Sequence, residues 1–356
     1  MARIDLDLAH AYRANPTQDS DYALLPLRMS FRDGGAYALL GPSGCGKTTM
    51  LNIISGLLAP SKGSVKFNGR DVTLETPQQR NIAQVFQFPV IYDTMTVAQN
   101  LAFPLRNRNV PAEQIRRRVG EIAEMLDMSG QLNQRAAGLA ADAKQKISLG
   151  RGLVRSDVSA VLFDEPLTVI DPHLKWQLRR KLKQIHRELK LTLIYVTHDQ
   201  VEALTFAEEV VVMTRGKAVQ IGSAEALFER PAHTFVGHFI GSPGMNFLPV
   251  ISTGGMLDIA GTRLAATREL PQGALKLGIR PEYVALAEPS APGAVPATLT
   301  QLQDVGTHLM LTAQVNGSAL KARLASEAVV PAAGATVWLK VLGAKSCFYR
   351  DEELVA

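Results

Sequence analysis

Cysteine is scarce: the 356 residues hold two, Cys45 and Cys347, far apart in the chain. Two scattered thiols exclude a disulfide scaffold and a Cys-based zinc site, and they predict a reducing, cytoplasmic setting. Long apolar runs are missing too. No window approaches the roughly 18 apolar residues of a membrane span, and the early stretch Ile4-Asp5-Leu6-Asp7-Leu8 is broken by acids, so neither a signal peptide nor an integral membrane segment is expected. A strong charge of one sign is also lacking. There are 38 Lys+Arg against 33 Asp+Glu, a formal +5, and beyond residue 235 nine basic residues face nine acidic ones, so the excess lies in the first 235. No internal repeat or low-complexity tract stands out. What is present is an apolar content of 46% over a length that buries a large core in about two domains, which excludes a mini-protein or a disordered chain.

The first 235 residues alternate apolar β-branched runs with helical patterns, which predicts an α/β fold with helices on both faces of a sheet. Ala36 to Leu40, Ala160 to Phe163, Leu193 to Val196 and Val210 to Met213 read as buried strands. A helix is predicted from about His173 to Lys190, striped by Leu174, Leu178, Leu182, Ile185 and Leu189, and another from about Ala112 to Leu126. Residues 88 to 155 show helical pattern and no convincing strand, so a helical insertion is expected there. Asn68-Gly69 is a hairpin signal. After Pro231 the texture turns to Gly, Pro and short strands, among them Leu275 to Ile279, Leu309 to Val315 and Thr336 to Val341, with a Pro/Gly-rich stretch at Glu288 to Pro296. This predicts a small all-β domain over 236–356 behind a first domain over 1–235.

Gly41-Pro42-Ser43-Gly44-Cys45-Gly46-Lys47-Thr48-Thr49 follows a predicted strand and opens a helical run through Leu58. That is the context a phosphate-binding loop requires, because glycines let the backbone curl until successive N–H groups and the helix N-terminus face the phosphates. Lys47 would then reach the β- and γ-phosphates, and Thr48 would ligate Mg²⁺. A second apolar strand ends in Asp164-Glu165-Pro166: one carboxylate able to hold the metal, the next able to polarise a water. Asp164 is the candidate metal ligand and Glu165 the candidate general base.

Taken together these residues resemble the ATP-binding subunits of ABC transporters, in particular the two-domain subunits of carbohydrate and glycerol-type importers, over nearly the whole chain. The resemblance implies a P-loop cassette with its helical insertion at about 88–155. Behind it stands a small β domain of oligonucleotide/oligosaccharide-binding (TOBE-like) type, matched by Ile240 to Leu248 and Leu277 to Glu282. Val85-Phe86-Gln87 is similar to the family's Q-loop, implying that Gln87 senses Mg²⁺ and the γ-phosphate. Thr94 to Val97, Asn100-Leu101 and Phe103 to Leu105 look like the entry to its helical subdomain. Leu167 to Asp171 falls where the D-loop lies, with Asp171 as its aspartate. Tyr195 to Gln200 is similar to the switch segment, which makes His198 the γ-phosphate contact. The family's adenine-stacking aromatic has two candidates here, Tyr12 and Tyr22. No guanine-reading Asn-Lys-x-Asp tetrapeptide occurs, so ATP is preferred over GTP.

The family's Leu-Ser-Gly-Gly-Gln signature is absent. Its slot reads Leu139-Ala140-Ala141-Asp142-Ala143. In the family this slot is offered to the partner cassette's nucleotide. Losing the serine hydroxyl removes a charge-assisted hydrogen bond of about 1.5–3 kcal/mol. A carboxylate about 4 Å from a phosphate charge costs up to roughly 4 kcal/mol at an effective dielectric of 20. Asp142 is also a good residue to N-cap the following helix. The expectation is a heterodimer in which a second ATPase subunit supplies an intact signature, with two permease subunits, a solute-binding protein acting indirectly, and a place at the cytoplasmic face of the inner membrane. The predicted activity is ATP hydrolysis that powers import of a sugar, polyol or glycerol-type solute. A soluble ABC protein acting on nucleic acid or ribosomes is the rival, resting on Arg116-Arg117-Arg118 and the basic helix from Arg179, both better read as solvated helix faces. A weakly hydrolysing regulatory subunit is a third reading.

Overall fold

The computed structural model describes every residue except Val169, Ser290 and Ala356, together with all side chains but that of His173. It divides the chain into two units, Met1–Ala224 and Glu225–Ala356.

The first unit starts with two strands absent from the sequence expectation, β1 (Ile4–Ala11) and β2 (Tyr22–Phe31). The acids that break the early apolar run are the open face of β1: Ile4, Leu6 and Leu8 are buried while Asp7 is exposed, the period-2 alternation of a strand covered on one side. Next comes the wholly buried β3 (Ala36–Leu40), then α1 (Lys47–Ser55). α1 stops short of Leu58 because Gly56 turns left-handed (φ +85°) and its N–H caps the last carbonyls. β4 (Lys62–Phe67) and β5 (Arg70–Asp71) form the expected hairpin, with Asn68 and Gly69 at φ +50° and +79°. With β1 and β2 they make an antiparallel sheet in the order β2-β1-β4-β5.

After β6 (Ile82–Val85) the chain is helical, as predicted: α2 (Val97–Arg106), α3 (Ala112–Met125) and α4 (Ala141–Leu153) pack through Leu101, Ile122 and Ile147. The chain returns through β7 (Ala160–Asp164), α5 (Pro172–Leu189), β8 (Leu193–Thr197), α6 (Gln200–Phe206), β9 (Glu209–Thr214) and β10 (Lys217–Gly222). The central sheet runs β10-β9-β3-β8-β7-β6, parallel apart from β10. Its two faces are read out by alternation. Val161, Phe163, Leu193 and Tyr195 face α5 and the helical insertion, whereas Ala160, Leu162, Ile194 and Val196 face α1 and the antiparallel sheet. Helices on both faces were expected; on the second face α1 shares the cover with the antiparallel sheet, whose strand β1 is broken by acids and whose strand β2 is broken by Pro26.

The second unit begins within α7 (Ala224–Glu229), and α8 (Thr234–Phe239) then precedes β11 (Asn246–Thr253), β12 (Met256–Ile259), β13 (Thr262–Ala265) and β14 (Gly273–Ile279). There follow β15 (Ala285–Ala287), β16 (Ala294–Asp304), β17 (Leu309–Val315), β18 (Ser318–Leu324), β19 (Thr336–Lys340), β20 (Cys347–Arg350) and β21 (Glu353–Leu354). They form two sheets, β13-β12-β11-β14-β20-β21 and β15-β19-β16-β17-β18, around one apolar core. The division between units falls ahead of 235/236 because α7 and α8 are tied to the β strands by Arg280. That side chain is fully buried; its Nε donates to the Phe228 carbonyl and its Nη1 to that of Gly237, both at 2.9 Å. The Pro/Gly-rich stretch at 288–296 is shorter as a loop than expected, since Ala294 and Val295 already belong to β16 and are buried. Among the described residues no helix is long and apolar enough to cross a membrane.

Candidate nucleotide-binding site

Two glycines of the 41–49 loop are sterically required. A Cβ on Gly41 would lie 2.2 Å from the Met213 carbonyl oxygen, and one on Gly46, at φ +102°, 2.5 Å from that of Ala23. Gly46 is the N-cap of α1 and offers no side chain to it, and the first turn carries no acid, so α1 supplies no anion of its own to its leading N–H groups. Lys47 folds back over the loop, its Nζ donating to the carbonyls of Gly41 (2.8 Å) and Pro42 (3.0 Å) and lying 3.9 Å from Cys45 Sγ. Its ammonium is buried with neutral partners; among the described residues no carboxylate stands within ion-pair distance. Cys45 is buried, and burial pushes its thiol up from the usual value, so it packs as an apolar group. Pro42, Ser43, Gly44 and Thr48 are exposed along the rim, and Thr49 is buried.

Of the two tyrosines, Tyr12 is the one beside this loop: its hydroxyl is 3.1 Å from Thr49 Oγ1, its ring stands edge-on to His10 at 4.7 Å, and it is 67% exposed. Tyr22 pairs with Ala11 across the β1–β2 ladder.

The neighbouring strands bring the rest. Thr48 Oγ1 donates to Asp164 Oδ1 at the end of β7 (3.3 Å). Burial raises the Asp164 carboxyl above its ordinary value and the Glu165 carboxylate adds to this, against the Thr48 hydrogen bond and Lys47. Glu165 leaves β7 at φ +47°, a conformation rare for a residue with a side chain, held by its N–H to the Val196 carbonyl (3.0 Å). Its Oε2 accepts from Thr168 Oγ1 (3.2 Å) and lies 3.1 Å from Nδ1 of His198, which follows β8. Asp171 directly precedes Pro172 at the first position of α5, where proline is at home, and its carbonyl accepts from the Lys175 N–H (2.9 Å). Val169 of the same segment lies outside the described residues. Gln87 sits half-buried just past β6; among the described residues no hydrogen bond joins it to Thr48 or Asp164.

Sheet order explains the convergence. β3, β8, β7 and β6 are consecutive and parallel, so the loop at 41–49, His198, Asp164-Glu165 and Gln87 all leave the same carboxyl edge of the sheet.

The start of α4, where the missing signature would stand, differs from expectation in one respect. Its N-cap is Ala140, with no side-chain cap, and Asp142 lies in the first turn. Asp142 is therefore not the cap: it lies two residues past Ala140, too deep for its carboxylate to replace the Ncap side chain. Lys144 pairs with Asp93 (3.2 Å), and Gln145, fully buried, donates to the Pro166 carbonyl beside Glu165 (2.5 Å). Within the basic stretches Arg118 donates to the carbonyls of Val154 (2.9 Å) and Leu153 (3.1 Å) and pairs with Glu121 (3.0 Å), Lys181 pairs with Asp127 (2.7 Å), and Arg116 and Arg117 are exposed.

Three residues at this edge escape a sequence reading: Thr168, Gln145 and Glu202, whose carboxylate accepts from Tyr195 and Thr197. Thr168 stands three residues after Glu165, a spacing that allows a side-chain contact across a turn. For the other two only the packed structure shows the partner.

The chain matches the ABC transporter family over residues 24–168 and the TOBE domain family over 277–346. It is 40% identical over 325 residues, 88% of this chain and 89% of the relative, to the sn-glycerol-3-phosphate import ATP-binding protein UgpC of Escherichia coli (strain K12). The protein of the same name from Chromohalobacter salexigens is 43% identical over 279 residues, 78% of this chain and 75% of its own. Among solved structures, cbiO1 from Clostridium perfringens, part of the ABC transporter complex cbiONQ, is similar with a TM-score of 0.57 at 24% identity over 64% of this chain and 90% of that one, a likeness in fold.

Proposed function

Because the chain belongs to the ABC transporter family of import ATP-binding proteins and hydrolyses ATP to drive transport, we propose that it powers uptake of sn-glycerol 3-phosphate or a kindred polyol or sugar solute. The solute rests on the relatives' names. The hydrolytic assignment is carried by one observation: the Thr48–Asp164 and His198–Glu165 contacts, at 3.3 and 3.1 Å, sit together at the carboxyl edge of consecutive parallel strands.

On this reading the backbone from Gly41 to Thr49 cradles the phosphates and Lys47 exchanges its carbonyl partners for phosphate oxygens. Tyr12 stacks on adenine. Glu165 takes a proton from the attacking water, and His198, hydrogen-bonded to Glu165, is placed to contact the γ-phosphate. Asp171 lies at the face offered to a second cassette. The donor set at Thr48 Oγ1 and Asp164 Oδ1 is all oxygen, and the half-buried Asp164 carboxyl favours a counter-charge, which fits Mg²⁺ with Gln87 as a further ligand from the next strand. When bound, that ion supplies charge neutralisation at the phosphates.

Permease subunits are the partners of an import ATP-binding subunit. Phe86, Phe88, Val90 and Tyr92, all at least 40% exposed just beyond β6, support docking of two permeases beside the helical insertion, at the cytoplasmic face of the membrane, with a solute-binding protein acting indirectly. The second cassette is a related subunit with an intact signature. This part rests on Ala140, Ala141 and Asp142 of this chain; the relatives' names point to no second ATP-binding subunit.

In the assembled transporter Glu165→Gln is expected to keep ATP binding and slow turnover by about 100-fold or more; unchanged turnover removes Glu165 from its role. Cells lacking this chain should lose uptake of labelled sn-glycerol 3-phosphate, and retention of that uptake alongside loss of another solute reassigns the cargo. Vigorous hydrolysis by the chain purified alone refutes the heterodimer.

A further inference from the structure

We propose that Glu202 is a positioning residue for the hydrolytic pair, holding His198 in register with Glu165; the proposal rests on the roles given to those two residues above. Glu202 lies in the first turn of α6 and is 3% exposed. Its Oε2 accepts from Tyr195 Oη (3.0 Å) and Thr197 Oγ1 (2.8 Å), its Oε1 lies 3.6 Å from Lys175 Nζ, and its N–H donates to Asp199 Oδ1 (3.1 Å).

These partners stand on the two backbone stretches that carry the pair. Tyr195 and Thr197 are the end of β8, directly before His198. Lys175 is in the first turns of α5, reached from Glu165 through Thr168 and Asp171. The stretches therefore meet twice: at the exposed end through His198 and Glu165, and behind it through Lys175, Glu202 and the two hydroxyls. A single contact between two loop side chains leaves both free to turn; a second, buried and charged, link fixes their separation. Burial pushes the Tyr195 hydroxyl well above its usual pKa, so it remains a donor throughout the working pH range. Removing the carboxylate leaves two buried hydroxyls and an ammonium without their shared acceptor, a loss felt first at the end of β8.

Glu202→Gln keeps the volume and an acceptor oxygen but loses the charge facing Lys175; Lys175→Met removes the same link from the more accessible side. In the assembled transporter each is expected to lower kcat about ten- to a hundredfold, the scale of a misplacement of about 1 Å or less, with the KM for ATP changed less than about twofold. In the nucleotide-free full chain, each should also shift the NMR titration of the His198 imidazole. Combined with His198→Ala, Glu202→Gln should cost nothing further. A lowered melting temperature with unchanged kcat per folded molecule and an unmoved His198 titration overturns the proposal, as does a full additional loss on top of His198→Ala. If His198→Ala alone leaves turnover intact, it is the role of His198 that fails, and the titration still decides whether Glu202 fixes its position.

Discussion

Helices α1 and α4 both begin without a side-chain cap, and they suit opposite purposes. α1 starts from Gly46 at φ +102° and has no acid in its first turn; α4 starts from Ala140 at φ −65° and carries Asp142 at its second position. Both expose unpaired N–H groups and the positive end of a helix dipole. At α1 the glycines open a path for an anion, and no acid in the helix's own first turn competes with it. At α4 the side chains of Ala140 and Ala141 narrow the approach, and Asp142 supplies a negative charge of the chain's own. A helix N-terminus is thus an anion site only where the backbone can be reached and the sequence leaves the charge unanswered.

The severest test of that contrast copies α4 onto α1. Thr48 and Asp142 both occupy the second position of their helices, so Thr48→Asp places the carboxylate equivalently. Repulsion of roughly 4 kcal/mol at an effective dielectric of 20 predicts about a thousandfold loss of Mg-ATP affinity by calorimetry. Unaltered binding breaks the comparison. The reverse change, Ala140→Ser with Ala141→Gly and Asp142→Gly, should raise the ATPase rate of the chain on its own by about ten- to a hundredfold, from the regained phosphate hydrogen bond and the removed charge. A flat response means that α4 meets no nucleotide in a pair of identical chains.

A milder change sharpens the α1 side. Tyr12→Ala should weaken ATP binding about tenfold, within the roughly 1–3 kcal/mol of one base stacked on an aromatic ring, while Tyr22→Ala leaves it unaltered; the opposite pattern transfers the role to Tyr22. The smallest effect concerns Asp164. Burial holds its carboxyl above the ordinary value, so the folded chain keeps this proton more tightly than the unfolded one. The associated stability is present at acid pH and lost as pH rises through the folded value. Asp164→Asn should therefore melt higher than the parent near neutrality without nucleotide, by about 2–4 °C at most in a calorimetric scan, with the gap closing as pH falls into the carboxylate range. A gap that widens on acidification contradicts the assignment.

Much of this was legible from local pattern. The strands at 36–40, 160–164, 193–197 and 209–214 are buried on both faces, so each reads as an uninterrupted apolar run, and the α5 stripe repeats at helical spacing. β1 was not legible, because a strand covered on one side alternates Asp5 and Asp7 with its leucines and looks polar on average, and β2 was not, because Pro26 interrupts its apolar run. The end of α1 is obscured by the apolar Leu57 and Leu58, which continue the pattern after Gly56 has already turned the chain. Residue type favours Asp142 as a cap, whereas the cap position is set by where α4 packs.

By itself the sequence determined which short segments could bind phosphate, hold a cation or polarise water, since those capacities depend on glycine, lysine, threonine and carboxylates within a few residues of one another. Only the tertiary structure decided that the segments form one site. The sheet order β3-β8-β7-β6 differs from chain order, and parallel strands place all their carboxyl ends on one edge. The same packing closed Glu202 onto Tyr195, Thr197 and Lys175. Hydrogen bonds between elements depend on distances that no local spacing encodes.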